Sequence, residues 1–122
     1  MTQPHILIVD DNPTNLFVLR MMLRKLGYET LEAVDGQSGV ELALERRPRL
    51  VLMDLRMPGM DGMAAAESIR KSLGDGAPII VAVTASVTPE QRHACAESGF
   101  AGLIPKPVDF GELAEYVSRF AA

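Results

Sequence analysis

The sequence predicts an α/β fold in which five helices cover both faces of a five-stranded, doubly wound parallel sheet. Short continuous apolar runs recur along the chain, and segments with the apolar spacing of one helix face lie between them. Continuous apolar runs are typical of parallel strands that are buried on both faces. Strict alternation of the two kinds of segment favours right-handed crossovers within one sheet.

Five short segments are the candidate strands. Residues 5–9, 50–53 and 79–83 are continuous apolar runs, which suits the buried centre of the sheet. Residues 29–33 alternate between polar and apolar side chains, which suits an edge strand, and residues 101–104 form a weaker fifth run.

A helix is expected after each strand, beginning at a residue type that favours helix starts. The expected starts follow Asn12, Asp35-Gly36, Asp61, Thr88 and Asp109. Pro89 favours the first turn of the fourth helix, and Gln91 predicts a capping box with Thr88.

Length and composition indicate one globular domain, residues 1–122, with no output domain. The net charge is −4 and the chain has no Lys/Arg cluster of the kind that neutralises phosphates, which argues against nucleic-acid binding. A single cysteine, Cys95, excludes an intramolecular disulfide bond. No apolar stretch approaches the roughly 20 residues that span a bilayer, and no signal peptide is recognisable. A cytoplasmic protein without membrane contact is therefore expected.

Polar residues stand where the predicted strands end. Asp10 and Asp11 end the first strand, Asp54 ends the third, Thr84 ends the fourth, and Lys106 follows the fifth. Ligands of doubly wound sheets bind at the carboxyl ends of the strands, so we expect these side chains to converge on one site.

The chemistry of this set favours a metal ion and a phosphoryl group. Three carboxylates in one site repel each other, and a divalent cation removes that repulsion. Since the ligands are hard oxygens, Mg²⁺ is favoured over zinc. The hydroxyl of Thr84 and the ammonium of Lys106 would stabilise a phosphoryl group opposite the metal, and Asp54 is a competent nucleophile.

These residues belong to four motifs, at 10–13 (Asp-Asp-Asn-Pro), 53–62 (Met-Asp-Leu-Arg-Met-Pro-Gly-Met-Asp-Gly), 83–85 (Val-Thr-Ala) and 106–107 (Lys-Pro). With them the chain resembles, over essentially its full length, the receiver (CheY-like) domains of bacterial response regulators and hybrid histidine kinases. Its motif style is closest to hybrid-kinase receivers and single-domain regulators of phosphorelays. The resemblance implies a flavodoxin-like strand order, 2-1-3-4-5.

The resemblance also implies a role for each acidic residue. Asp54 would accept a phosphoryl group from a phosphohistidine on a histidine kinase or a histidine phosphotransfer protein. Asp11, Asp54 and the backbone carbonyl of Arg56 would coordinate Mg²⁺ directly, and Asp10 would act through a water molecule. Such a domain catalyses its own phosphorylation and dephosphorylation and is not a turnover enzyme.

The remaining site residues would bind and report the phosphoryl group. Thr84, Lys106 and the backbone amide of Ala85 would contact its oxygens, and the Lys106–Pro107 peptide bond would be cis. Phosphorylation would move Thr84 and so bias the surface of the fourth helix, fifth strand and fifth helix. The signal would pass to a downstream protein target or onward as a phosphoryl group, from a monomer or a weak dimer.

Two positions depart from the family pattern. Leu103 stands where the family often has an aromatic switch residue coupled to the threonine, so the usual aromatic signature of switching is not expected. Arg56 lies two residues after Asp54, where its side chain is expected to alter the lifetime of an aspartyl phosphate.

Two other kinds of function fit these residues less well. Phosphatases of the haloacid dehalogenase type need a second aspartate two residues after the nucleophile, where this chain has Arg56. A pure binding module, such as an FMN carrier, would place a phosphate at the first loop, which is acidic here and would repel it.

Overall fold

The strands form one parallel sheet in the computed structural model, which describes residues 5–121. Their bounds are β1 His5–Val9, β2 Glu29–Ala33, β3 Leu50–Asp54, β4 Ile79–Thr84 and β5 Gly102–Pro105. The sheet order is β2-β1-β3-β4-β5. This confirms the predicted fold class and strand order, and it places β2 and β5 at the two edges.

Five helices alternate with the strands. Their bounds are α1 Pro13–Lys25, α2 Gly36–Arg46, α3 Gly62–Leu73, α4 Pro89–Glu97 and α5 Phe110–Phe120. A short 3₁₀ turn, Gly74–Gly76, follows α3. Within residues 5–121, no helix has the length and apolar character required to cross a membrane.

Each helix begins at a capping side chain that accepts a hydrogen bond from a backbone N–H group of the first turn. The caps are Asn12, Asp35, Asp61, Thr88 and Asp109. Each cap of this kind stabilises a helix by about 1 kcal/mol. Only half of the capping box predicted for α4 forms. The Thr88 side chain accepts a hydrogen bond from the Gln91 backbone N–H group. The side-chain amide of Gln91, however, lies 3.9 Å from Cys95 Sγ and does not return to the Thr88 backbone.

The central strands are buried on both faces, as the continuous apolar runs predict. Along β1, Leu7 and Val9 pack into the core beneath α2 and α3, whereas Ile6 and Ile8 pack beneath α1 and α5. Burial of each such side chain contributes roughly 1.5–3 kcal/mol. The two cores hold the ends of β1, β3 and β4 in fixed relative positions.

The fifth strand differs slightly from its predicted range of 101–104, since it runs from Gly102 to Pro105. Proline lacks a backbone N–H group and is tolerated in an edge strand. Pro105 pairs in register with Thr84, the last residue of β4.

Candidate functional site

The carboxyl ends of the central strands carry buried polar side chains. Asp10 directly follows β1, while Asp54 and Thr84 are the last residues of β3 and β4. Their exposed fractions are 1%, 4% and 1%, and within residues 5–121 they are the buried side chains that are polar or charged. Burying such groups is costly unless they are paired or bind a ligand. The edge of the sheet around the strand ends at Asp10, Asp54 and Thr84, which we call the mouth, is therefore the candidate functional site.

Three carboxylates meet at the mouth. One oxygen each of Asp10, Asp11 and Asp54 lies within 4.8 Å of the other two. Asp11 is exposed, so the cluster opens to solvent. Oxygen ligands at this spacing, with waters completing the shell, suit Mg²⁺ better than a transition metal.

Lys106 brings a positive charge to two of these carboxylates. Its Nζ atom lies 3.1 Å from Asp10 Oδ2 and 3.3 Å from Asp54 Oδ1. Its backbone N–H group donates to the Thr84 carbonyl at 2.9 Å, and the Lys106–Pro107 peptide bond is cis. The fifth strand therefore delivers the ammonium to the mouth although it lies at the edge of the sheet.

The charge balance around Asp54 is unfavourable to its ionised form. Its pKa is raised, chiefly because burial disfavours the charged carboxylate and further by the negative charge of Asp10. Lys106 and the Arg56 N–H group, which donates to Asp54 Oδ1 at 3.3 Å, act in the opposite direction. An additional cation at the mouth would relieve the remaining repulsion.

Asp10 is held by the loop before α1. The Asn12 N–H group donates to Asp10 Oδ1 at 2.9 Å, and the side-chain amide of Asn15 approaches the same oxygen at 3.5 Å. The role of Asn15 was missed from sequence. Its position in the first turn of α1, one turn from the acidic pair, was the available signal.

The hydroxyl of Thr84 is also fixed by its neighbours. Its Oγ1 atom accepts a hydrogen bond from the Ser86 N–H group at 3.1 Å. Ala85 lies between them and is exposed, and the side chain of Arg56 is exposed as well. The loop after β4 thus has Thr84 buried at the strand end and its next residue open to solvent.

Gly62 allows α3 to begin against the end of β3. A Cβ atom at this position would collide with the carbonyl oxygen of Asp54. The Gly62 N–H group donates to the Leu55 carbonyl at 3.2 Å. The motif at residues 53–62 ends at this glycine, and the structure gives it a packing role beside the site.

Leu103 does not lie at the mouth. It pairs in register with Ala82, two residues before Thr84, and is buried in the same core as Cys95 of α4. An aromatic residue approaches it from α5 instead. The Tyr116 hydroxyl lies 3.3 Å from the Leu103 N–H nitrogen and 3.4 Å from the Leu103 carbonyl oxygen. Sequence reasoning missed Tyr116, because nothing local links it to β5.

Known proteins resemble the chain over nearly its full length. The sensor histidine kinase GacS of Pseudomonas protegens is 36% identical over 121 residues, which cover 96% of this chain and 13% of that kinase. The chain therefore spans only a small part of this relative.

Solved structures of receiver domains are similar as well. The receiver domain of the sensor histidine kinase PA1611 from Pseudomonas aeruginosa, with a magnesium ion coordinated in its active site cleft, has a TM-score of 0.88 and 35% identity, covering 98% of both chains. The Ssk1 receiver domain of Saccharomyces cerevisiae, co-crystallised with the histidine phosphotransfer protein Ypd1, has a TM-score of 0.90 and 29% identity, covering 98% of this chain and 89% of that one.

Residues 6–118, which include every residue of the mouth, match the response regulator receiver domain family. With the sheet order and the acidic cluster at the strand ends, this match leads to one conclusion. The chain belongs to the family of response regulator receiver domains.

Proposed function

We propose that this chain is a phosphoacceptor in a two-component or phosphorelay pathway, and that Asp54 takes the phosphoryl group. The observation that carries the proposal is the buried carboxylate of Asp54, with two further carboxylates within 4.8 Å and the Lys106 ammonium at 3.3 Å. A buried carboxylate of raised pKa next to acidic and basic groups is typical of a reactive site.

The reaction transfers one phosphoryl group from a phosphohistidine. A carboxylate oxygen of Asp54 attacks the phosphorus atom and forms an acyl phosphate, while the P–N bond breaks and its electron pair returns to the imidazole. Lys106 and the Thr84 hydroxyl bind the phosphoryl oxygens, and the Ala85 N–H group donates to one of them. That the domain catalyses its own phosphorylation and dephosphorylation without being a turnover enzyme stays a prediction of the sequence.

The donor set at the mouth fits Mg²⁺. Asp11, Asp54 and the backbone carbonyl of Arg56 would hold the ion, and Asp10 would bind one of its waters. When bound, the ion supplies positive charge that offsets the carboxylates and the transferring group. The magnesium ion in the cleft of the PA1611 receiver supports this assignment.

The exposed side of α1 suits the phosphohistidine-bearing partner. Phe17, Val18 and Met21 are 53%, 41% and 45% exposed, an apolar surface of the kind that marks protein contacts. Val18 and Lys106 line one cavity of about 170 Å³, so this surface adjoins the mouth. The Ssk1 receiver was crystallised with a histidine phosphotransfer protein, which supports such a partner.

Other features stay predictions of the sequence: a bacterial source, a cytoplasmic location, a downstream protein target, no binding of nucleic acid or membranes, and a monomer or weak dimer. The switch through Thr84 and the effect of Arg56 on the lifetime of the acyl phosphate belong with them. Comparing the rates of acyl phosphate hydrolysis in the wild type and in Arg56→Ala tests the predicted effect of Arg56. Equal rates would contradict that prediction.

Intact mass spectrometry after incubation with acetyl phosphate tests the phosphoacceptor. With Mg²⁺, the wild type should gain the mass of one phosphoryl group, and hydroxylamine should remove it. Asp54→Asn should gain nothing. Asp75→Asn is the matched control, because Asp75 is an exposed aspartate in the turn after α3 and should leave the gain unchanged.

Two results would contradict the proposal. An equal gain in Asp54→Asn would move the phosphoryl group to another residue. An unmodified wild type in the presence of Mg²⁺ would favour a binding module.

A further inference from the structure

The β2 edge of the sheet offers unpaired backbone groups. The Asp10 N–H group donates to the Ala33 carbonyl at 3.1 Å, so the peptide groups of Ala33 face β1. Because the two sides of a strand alternate, the N–H and C=O groups of Thr30 and Glu32 face away from the sheet. Such an edge can pair with another strand.

A cleft of about 600 Å³ runs along this edge, and we call it the β2 cleft. Its floor includes residues 27–32, and its walls carry Arg20 and Arg24 from α1 and Arg46 from α2. Since α1 and α2 cover opposite faces of the sheet, arginines reach the cleft from both sides.

Of the three arginines that line the β2 cleft, two remain available to bind a ligand. Arg20 Nη1 lies 2.6 Å from Glu32 Oε2 and is paired with it. Arg24 and Arg46 are exposed, and within residues 5–121 neither lies within 4.0 Å of a carboxylate oxygen. A chain of net charge −4 thus presents three arginines against two glutamates, Glu29 and Glu32, along this edge.

We propose that the β2 cleft binds an extended acidic segment of a partner protein, which adds to β2 as a sixth strand. A strand supplies both donors and acceptors to the peptide groups of Thr30 and Glu32. A free anion offers acceptors only and leaves the two outward carbonyl groups without a donor. Backbone pairing therefore favours a peptide over a phosphate compound.

Side-chain alternation specifies the sequence that fits. Successive residues of a strand point to opposite faces. Two adjacent acidic residues would therefore direct one carboxylate toward Arg24 on the α1 side and the other toward Arg46 on the α2 side. This contact uses no residue of the mouth, so the inference does not depend on the phosphoacceptor function.

Fluorescence anisotropy with a labelled, capped peptide tests the proposal. The probe is Thr-Val-Glu-Glu-Val-Thr, and its analogue with two glutamines should bind more weakly. Arg24→Gln and Arg46→Gln should each weaken binding about tenfold, the expected loss for a charged hydrogen bond. Arg92→Gln, an exposed arginine of α4, is the matched control and should bind as the wild type does.

Thr30→Pro tests the backbone contact directly. It removes an outward N–H group, and it leaves the pairing with β1 intact because that group does not face β1. Binding should be lost, while circular dichroism shows the native fold. A peptide methylated at alternate backbone nitrogens should likewise fail to bind, and this arm does not depend on the folding of any variant.

Several outcomes would overturn the proposal. If the wild type shows no saturable binding of the acidic peptide, the proposal is wrong. Equal binding of the methylated peptide, or displacement of the probe by pyrophosphate at equal concentration, would make the cleft a simple anion site. A wild-type dimer in sedimentation that Thr30→Pro dissociates would assign the edge to a second copy of this chain.

Discussion

The two edges of the sheet are treated differently. At β5, the bond from the Lys106 N–H group to the Thr84 carbonyl leaves Leu103 and Pro105 facing outward. Pro105 has no N–H group, and the Tyr116 hydroxyl lies within hydrogen-bond distance of both polar groups of Leu103. The β5 edge therefore presents no free donor, whereas the β2 edge presents two.

This difference indicates which edge of the sheet a partner strand would use. Natural proteins block edges with proline, short strands or a covering side chain. The edge that adjoins Lys106 and the proposed switch surface is blocked in all three ways. The edge farther from them carries five residues of open strand between arginines.

Gly102→Val should give the largest effect at the blocked edge. A Cβ atom at Gly102 would overlap the ring of Tyr116, so the ring must leave Leu103 or β5 must move. We expect a loss of about 3 kcal/mol in the free energy of unfolding, at the upper end for overpacking. Urea unfolding measures it.

A double variant provides the control for that loss. Tyr116→Ala removes the ring, so the loss caused by Gly102→Val should fall by more than half in its presence. Equal losses with and without Tyr116 would show that the ring does not close this edge.

Asp54→Asn should stabilise the fold, in contrast to Gly102→Val. It compares the centre of the sheet with its two edges. Burial and Asp10 raise the folded-state pKa of Asp54, so its ionisation destabilises the fold above that pKa. With a chelator at pH 7, the variant should be the more stable protein. Its advantage should shrink as the pH falls through the raised pKa toward the ordinary value of 3.8.

Urea unfolding with added Mg²⁺ completes this test. Added Mg²⁺ should stabilise the wild type more than Asp54→Asn, because the variant lacks one of the three carboxylates. A wild type more stable than the variant at pH 7 in chelator would contradict the assignment of unfavourable charge to Asp54.

Tyr116→Phe should give the smallest effect, a loss of about 1 kcal/mol, because it removes only the hydroxyl that bonds to Leu103. Tyr28→Phe is the matched control at the open edge, where Tyr28 lines the β2 cleft, and should change stability by less than about 0.5 kcal/mol. If both variants unfold alike, the hydroxyl of Tyr116 does not protect β5.

Local sequence signals predicted the strand and helix order and the convergence of Asp10, Asp11, Asp54 and Lys106. The apolar runs and capping residues each act within a few positions, and a parallel sheet brings strand ends together by topology alone. These signals therefore carry most of the fold and the polar residues of the mouth.

Features that depend on pairs distant in sequence were not predicted. Tyr116 meets Leu103 across the β5–α5 connection, and the space it fills exists because Gly102 has no side chain. The β2 cleft depends on which strand lies at the edge and on the directions of two helices, so neither Arg24 nor Arg46 carries a local signal of it.

One face of helix α1 packs into the core, and the other face is exposed. Leu16, Leu19 and Leu23 lie in the core, while Phe17, Val18 and Met21 are exposed, and Val18 shares a cavity with Lys106. Exchanging the outward side chains would leave both the core and the strand-end chemistry untouched. Under the proposed function, the choice of phosphohistidine donor would therefore be free to diverge between duplicated copies of such a protein, or to be changed by design, while the reaction itself stays the same.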